Sequence, residues 1–294
     1  MKRRAGDLAL LTALTVNVRA LHLHPTPVRI HDGDIRLPPL VQQDVRFAVP
    51  GADDFKAVVK PPDCDSLWEW YEERGQLDAD PSWARVWPTA AGLATAILED
   101  PSRVRGKTVV ELGAGLGIVG IAASLAGADS VILLDREPLA LHCALTTCSI
   151  NGIATAPLDG ADNPPGAVSA ALFDWTAPSL ASVADVILAT DVLYDDDVME
   201  SLASTAARLF KKAGGSFLIA DPSRERRDGC RQAFISAAKA AGAAQVDVTD
   251  LSWPSTPSPF LGDGAASTGL GPGTPQDQKL DREKLVLVES VWAP

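Results

Sequence analysis

The residues best placed to do chemistry are a run of glycines, a handful of carboxylates and several aromatic side chains. Val109-Val-Glu-Leu-Gly-Ala-Gly-Leu-Gly-Ile-Val-Gly120 carries an apolar strand straight into glycines and then into a helix. Gly115, Gly117 and Gly120 satisfy G-x-G-x-x-G, a spacing shared by dinucleotide enzymes and several other nucleoside binders. Glycine is needed there because a side chain would keep a ligand off the backbone, and because the tight turn favours positive φ. Asp135 ends the next apolar run, where an acidic side chain can accept from both hydroxyls of a ribose. Farther on stand Phe173-Asp-Trp175 and Thr190-Asp-Val-Leu-Tyr-Asp195, and upstream lies Trp87-Pro88.

Glu111 separates candidate ligands. A carboxylate at the mouth of the glycine loop would repel a pyrophosphate, whereas S-adenosylmethionine has no phosphate and carries an ammonium and a sulfonium. The Trp175 indole is expected to cover an adenine face, and Asp191 and Tyr194 to stand over the cofactor. Each has a purely structural alternative. Glu111 can be a solvated strand-end charge, Trp175 a core aromatic, and Trp87 a hydrophobic staple before a helix that opens on proline. Asp195 or Asp196 is expected to cap the helix that follows, a role that does not require Asp191. His142, Cys143 and Cys148 share one helix but do not converge.

Composition narrows the classes. Of 294 residues 46% are hydrophobic, enough for one large or two modest cores. A formal charge of -12 makes the chain repel phosphate backbones, so nonspecific nucleic-acid binding is not expected. Cys64, Cys143, Cys148 and Cys230 form no CxxC pair, which argues against a zinc site and a disulfide scaffold. No apolar run reaches the length of a membrane span. Lys2, Arg3 and Arg4 precede Leu8 to Val16, so residues 1–24 read as a leader or a disordered segment. Asp7 and the lack of a small-residue cleavage signal oppose organelle targeting. The chain is expected to work in the cytoplasm, or in a mitochondrion or plastid if that segment is an address.

The elements that must position these residues follow from periodicity. Prolines break residues 25–62, where Val28-Arg-Ile and Val45-Arg-Phe-Ala-Val alternate as a small antiparallel hairpin. Helices are expected over Asp65–Arg74 and Thr89–Leu98. Strands at Thr108–Leu112, Ser130–Leu134, Val168–Phe173, Asp185–Ala189 and Ser216–Ala220 alternate with helices at Gly117–Ala126, Pro138–Ile150 and Asp197–Lys212. Continuous apolar strands between helices belong to a parallel sheet covered on both faces. After a helix at Gln232–Ala241, strands at Val246–Leu251 and Lys284–Trp292 have no helix between them, so the last is expected to run antiparallel. The Pro-, Gly-, Ser- and Thr-rich stretch between them reads as a flexible insertion, 254–279. The expected fold is therefore α/β: a Rossmann-like, seven-stranded, mostly parallel sheet with an antiparallel last strand and helices on both faces. An N-terminal hairpin and helical extension is expected over 25–105, and a catalytic domain over 106–294.

Glu-Leu-Gly-Ala-Gly-Leu-Gly, Asp135, Phe-Asp-Trp and Asp-Val-Leu-Tyr, with the upstream Trp-Pro-Thr-Ala-Ala-Gly-Leu-Ala, together resemble one family. It is the seven-β-strand protein-lysine methyltransferases once labelled nicotinamide N-methyltransferase-like. The resemblance covers roughly residues 65–252 and the last strand. Within it, Trp68-Glu-Trp-Tyr-Glu-Glu-Arg, Asp80-Pro-Ser-Trp-Ala-Arg-Val-Trp-Pro and Asp100-Pro-Ser-Arg-Val-Arg-Gly-Lys look most like the branch acting on the electron transfer flavoprotein β subunit. The chain departs from that branch in Asp-Val-Leu-Tyr, in its glycine-loop wording and in the 254–279 insertion. The resemblance implies S-adenosyl-L-methionine as cofactor, held by Trp87, Glu111, Gly113, Ala114, Gly115, Gly117, Asp135, Arg136, Asp174, Trp175 and Thr190. It implies a catalytic pair in Asp191 and Tyr194, facing the lysine of a protein substrate. The expected partner is that protein, with no nucleic acid, no membrane and a monomeric chain. No metal is expected. A small-molecule N-methyltransferase, a silent cofactor-binding protein and an NAD-dependent oxidoreductase are the rival readings.

Overall fold

The computed structural model describes residues 18–20, 37–44, 55, 57–158, 163–211, 214–251 and 284–293. The expected leader at 1–17 and 21–24, the strands read at Val28–Ile30 and Val45–Val49, and the 254–279 insertion lie outside the described residues.

The strands β4 (Thr108–Leu112), β5 (Ser130–Asp135), β6 (Ala167–Leu172), β7 (Val186–Thr190), β8 (Gly215–Pro222), β9 (Ala243–Leu251) and β10 (Leu285–Trp292) form one seven-stranded sheet. Its order is β6-β5-β4-β7-β8-β10-β9. β10 pairs antiparallel with both β8 and β9, and the pairs from β6 through β8 are all parallel. The reversed strand is thus the last in sequence but the last but one in the sheet. β9 is the edge. Here it accepts a mostly exposed face, which a central strand would not.

Alternation along each strand sends side chains to two separate cores. Val109, Val131, Leu133, Val186 and Leu188 face α2 (Pro88–Glu99), α3 (Ile118–Leu125) and α4 (Pro138–Ile150). Val110, Leu112, Leu134, Ile187, Ala189 and Phe217 face α5 (Met199–Leu209) and α6 (Cys230–Ala240). Burial on both faces is why these strands read as unbroken apolar runs.

Helix starts follow their local chemistry. Asp63 accepts from the Ser66 N–H at 2.6 Å to open α1 (Cys64–Glu72). Proline stands at the first position of α2 and of α4, where no N–H is missed, and Glu137 caps α4 by accepting from Leu139 N at 3.0 Å. Asp195 accepts from Asp197 N at 3.2 Å at the 3-10 turn that leads into α5, as its position before the helix predicts.

The extension is a three-stranded antiparallel sheet, β1 (Val18–Ala20), β2 (Val41–Asp44) and β3 (Ala57–Lys60), on segments other than those read as strands from alternation. β3 is pinned to α4. The Val59 N–H donates to Thr147 Oγ1 at 2.9 Å, and Asn151 both accepts from Ala57 N at 3.2 Å and donates to Ala57 O at 2.7 Å. No helix among the described residues is long and apolar enough to cross a membrane.

Candidate active site

Strand order reverses between β4 and β7, since the chain runs outward through β5 and β6 on one side and through β8 on the other. At such a switch point the loops leaving the carboxyl ends part and leave a crevice. A cleft of about 930 Å³ opens there, lined by the loops after β4, β5, β6 and β7 and walled by the segment that leads into α2.

The glycine loop lies at its floor. Gly113, Gly115 and Gly117 all have positive φ, of 64°, 51° and 69°. A Cβ placed on Gly115 would meet nothing nearer than Trp83 O at 3.8 Å, so this face of the loop stands open to the cleft. A Cβ on Gly113 would touch Trp175 and Val192 at 3.3 Å. The other two glycines serve packing. A Cβ on Gly117 would lie 2.8 Å from Leu133 Cδ1, and one on Gly120 would lie 2.5 Å from Leu133 Cδ2.

Of the residues expected at the site, Trp87, Gly113, Ala114, Gly115, Asp135, Arg136, Asp174, Trp175, Thr190, Asp191 and Tyr194 all line this cleft. Glu111 and Gly117 do not, and the reading of Glu111 is corrected. Its side chain is 2% exposed, beneath the loop, and accepts from Gly120 N at 2.7 Å. Burial pushes its carboxyl up to about 8, against the pull of the Gly120 and Val119 N–H groups. It sits under the loop and does not line the cleft, so the repulsion argument against pyrophosphate does not hold.

Asp135 accepts from Gly115 N at 2.7 Å and from Glu137 N at 2.8 Å, which locks the glycine loop to the end of β5. Burial raises its carboxyl above the ordinary value, against those two donors. A carboxylate offers about four acceptor positions, so two contacts leave room for a ligand hydroxyl. Asp174 turns back on its own chain, accepting from the Thr176 N–H and hydroxyl at 2.8 and 2.7 Å, and the hydroxyl contact holds its carboxyl low.

Asp191 has φ 56°, a left-handed conformation that non-glycine residues rarely adopt. The Asp191 N–H donates to Ala220 O at 3.0 Å, and both carboxylate oxygens accept from Arg226, from Nε and Nη2 at 2.6 Å each. Strain at such a point belongs with a side chain that must be aimed. The Arg226 guanidinium also lies over the Trp87 ring, 4.8 Å from its centroid, with Arg85 at 4.9 Å. Trp87 Nε1 donates to Ser82 O at 3.2 Å, which holds the ring in place. Tyr194 is 46% exposed at the rim.

Several lining residues were not singled out from the sequence. Trp83 and Arg85 come from the 3-10 turn Pro81–Ala84 and its exit, and Trp83 Nε1 donates to the Tyr71 hydroxyl at 3.0 Å. Arg226 comes from the loop after β8. Its signal was positional: it follows the carboxyl end of a strand beside the switch point, where ligands of open sheets bind.

The family described as "Lysine methyltransferase" matches residues 77–241, more than half of the chain and the whole of this cleft apart from its supporting extension. The chain is 31% identical over 170 residues to the electron transfer flavoprotein beta subunit lysine methyltransferase of Rattus norvegicus, covering 57% of this chain and 60% of that protein. It is 28% identical over 143 residues to the calmodulin-lysine N-methyltransferase of Arabidopsis thaliana, covering 47% of this chain and 44% of that one. The chain therefore spans less than two thirds of the length of these relatives. Among solved structures the [4+2]-cyclase SpnF shares the fold with a TM-score of 0.51 at 13% identity, over 80% of this chain and 98% of that chain. With the glycine loop, Asp135 and the Asp191–Tyr194 segment in one cleft inside the matched residues, the chain belongs to the lysine methyltransferase family.

Proposed function

We propose that this chain transfers a methyl group from S-adenosylmethionine to the side-chain nitrogen of a lysine in a protein substrate. The observation that carries the reading is a single cleft at the switch point that joins the open face of the glycine loop and Asp135 to Asp191 and Tyr194. Family membership supports it, as do the lysine methyltransferases among the relatives. The domain division at 105/106 is part of the same reading.

The residues fit the cofactor. Gly115 leaves the backbone open to a ligand, Asp135 is aimed at the cleft with acceptor positions to spare, and Trp175 and Trp87 offer aromatic faces. Asp135 accepts the ribose hydroxyls, the Gly113–Gly115 backbone meets the amino-acid portion, and Trp175 covers the base. The cofactor supplies an electrophilic methyl on a positively charged sulfur. Asp191 binds and orients the acceptor amine, and Tyr194 walls the approach.

The amine must be neutral to attack. A free lysine has a pKa near ~10.4, so at neutral pH only about one in a few thousand is ready. Exclusion of water in the cleft depresses that value, and alignment at near-attack distance supplies a further ~7 kcal/mol or more in favourable systems. Water carries the proton away. The partner is a protein segment drawn to an acidic surface, with no nucleic acid or membrane involved, and the chain acts as a monomer in the cytoplasm, or in an organelle if residues 1–24 direct it there.

The test is transfer of labelled methyl from S-adenosylmethionine into a protein extract, followed by acid hydrolysis. Label in methyl-lysine on one discrete band is the expected result. Label confined to small molecules, or none despite cofactor binding, would sink the reading.

A further inference from the structure

Asp191 poses a problem for a transfer that needs a neutral amine. A lone carboxylate beside the acceptor raises the amine's pKa and keeps it protonated. The structure contains a counterweight. Arg226 meets Asp191 through two parallel contacts of 2.6 Å, with the Asp191 side chain 8% exposed, and its guanidinium rests against the Trp87 ring. Two-pronged pairing fixes direction as well as charge.

Asp135 and Arg136 line the same cleft, and arginines also meet the carboxylates nearest Asp191 on β8 and along its own segment. Asp221, on β8, feels the Asp191 charge and is paired with Arg231 of α6 at 2.5 Å. Asp195 and Asp196, downstream on the same segment, face Arg227 at 3.7 and 2.8 Å. Tyr194 stands between Asp191 and Asp195 in sequence and carries no charge at neutral pH. The loop after β8 thus lays arginines against the carboxylates that leave β7, and Arg226 is the one that reaches into the cleft.

We propose that Arg226 is a positioning residue for methyl transfer. Held on Asp191 and on the face of Trp87, it aims the carboxylate and offsets its charge, so the acceptor amine is oriented without being held protonated. This inference rests on the reading of the cleft as a lysine methyl-transfer site. Each Asp191 oxygen uses one acceptor position on Arg226 and keeps another for the amine.

The experiment is the pH dependence of kcat for the wild type, Arg226→Gln, Arg226→Lys and the double variant Asp191→Asn/Arg226→Gln. The rising limb of kcat reports loss of the amine proton in the complex. In Arg226→Gln the bare carboxylate moves that limb up by about one pH unit or more, a loss of roughly tenfold near neutrality that is recovered at alkaline pH. Arg226→Lys keeps the charge, and its limb stays with the wild type at a lower rate. In the double variant both charges are gone and the limb returns toward the wild-type position. A limb that does not move in Arg226→Gln, with a loss uniform across pH, overturns the proposal. So does a gain in rate near neutrality, which would make the guanidinium a competitor for the acceptor's place. A wild type that methylates no lysine defeats the reading of the function itself and this inference with it. An active wild type with an unmoved limb in the variant defeats the inference alone.

Discussion

Glu111 Oε2 lies 2.7 Å from Gly120 N, so a buried carboxyl closes the base of the glycine loop from below and caps the start of α3. The ordinary value of its pKa is 4.5, and burial pushes it up to about 8 in the folded chain. Between those values the folded state binds more protons than the unfolded one, so stability falls as pH rises through that window. Glu111→Gln keeps an acceptor for Gly120 and cannot ionise. It is expected to gain stability relative to the wild type as pH rises from about 5 to about 8. Urea midpoints across that range measure it, and parallel curves for the two proteins would show that Glu111 does not titrate in the fold.

The glycines of the loop divide into two kinds, and alanine separates them. On Gly120 the added methyl meets the fully buried Leu133 and the Glu111 carboxyl, at 2.5 and 2.8 Å. Overpacking of this kind costs ~1–3 kcal/mol, more than the ~1 kcal/mol that alanine gains over glycine in a helix. Gly120→Ala should therefore lower the unfolding temperature. On Gly115 the methyl has space, and a φ of 51° adds a backbone strain of ~1–2 kcal/mol. Its larger effect falls on the ligand, with the Kd for S-adenosylmethionine raised roughly tenfold, the equivalent of about 1.4 kcal/mol. Calorimetric titration and thermal unfolding of both variants distinguish the two roles.

Asp135 ties the glycine loop to the end of β5 and aims at the cleft, so its variants should touch both folding and binding. Asp135→Ala leaves the Gly115 and Glu137 N–H groups without their acceptor, and hydrogen bonds to a charged group are worth ~1.5–3 kcal/mol each. Asp135→Asn retains one acceptor oxygen. The expected order of affinity for S-adenosylmethionine is wild type, then Asn, then Ala. An Ala variant that binds the cofactor as well as the wild type would remove Asp135 from the site.

Much of this architecture was legible because its strands are buried on both faces. Val109-Val-Glu-Leu reads as a strand whichever way it faces, and Pro88 marks the start of α2 whatever packs on it. Direction was harder. Glu111 has the same parity as Val109, which faces α3, so the alternation already placed its carboxyl under the helix rather than toward the ligand. Trp83 lies in a single 3-10 turn and Arg226 in a loop, neither long enough for a period to assign a face, and only the three-dimensional crossing of β7, β8 and the segment before α2 brings them to the cleft. The strands at Val41–Asp44 and Ala57–Lys60 were not legible because four-residue strands carry too few alternations to stand out from the prolines around them.

Beside the Asp191–Arg226 pair, Asp221 lies at the end of β8 with its side chain fully buried, paired with Arg231, which is 12% exposed. Arg231 donates to Asp221 Oδ2 from Nε at 3.1 Å and from Nη2 at 2.5 Å, and Nη2 also contacts Pro222 O. The other carboxylate oxygen, Oδ1, is buried without a hydrogen-bond partner. Burial outweighs the arginine and pushes the carboxyl up to about 6. Removing the arginine leaves that charge with only the weaker influence of Arg226 to offset its desolvation, a loss of ~3–5 kcal/mol for a broken buried pair. Because the folded pKa is raised, the cost is felt as pH rises past about 6 and is relieved where Asp221 takes up a proton. Arg231→Met should therefore be far less stable than the wild type near pH 8 and closer to it near pH 5, values chosen to bracket that titration. Asp221→Leu/Arg231→Met, which removes both charges together, should recover most of the loss at the higher pH. Urea midpoints at the two pH values decide the matter: an equal loss at both would mean that the arginine acts through packing, and the buried charge would play no part.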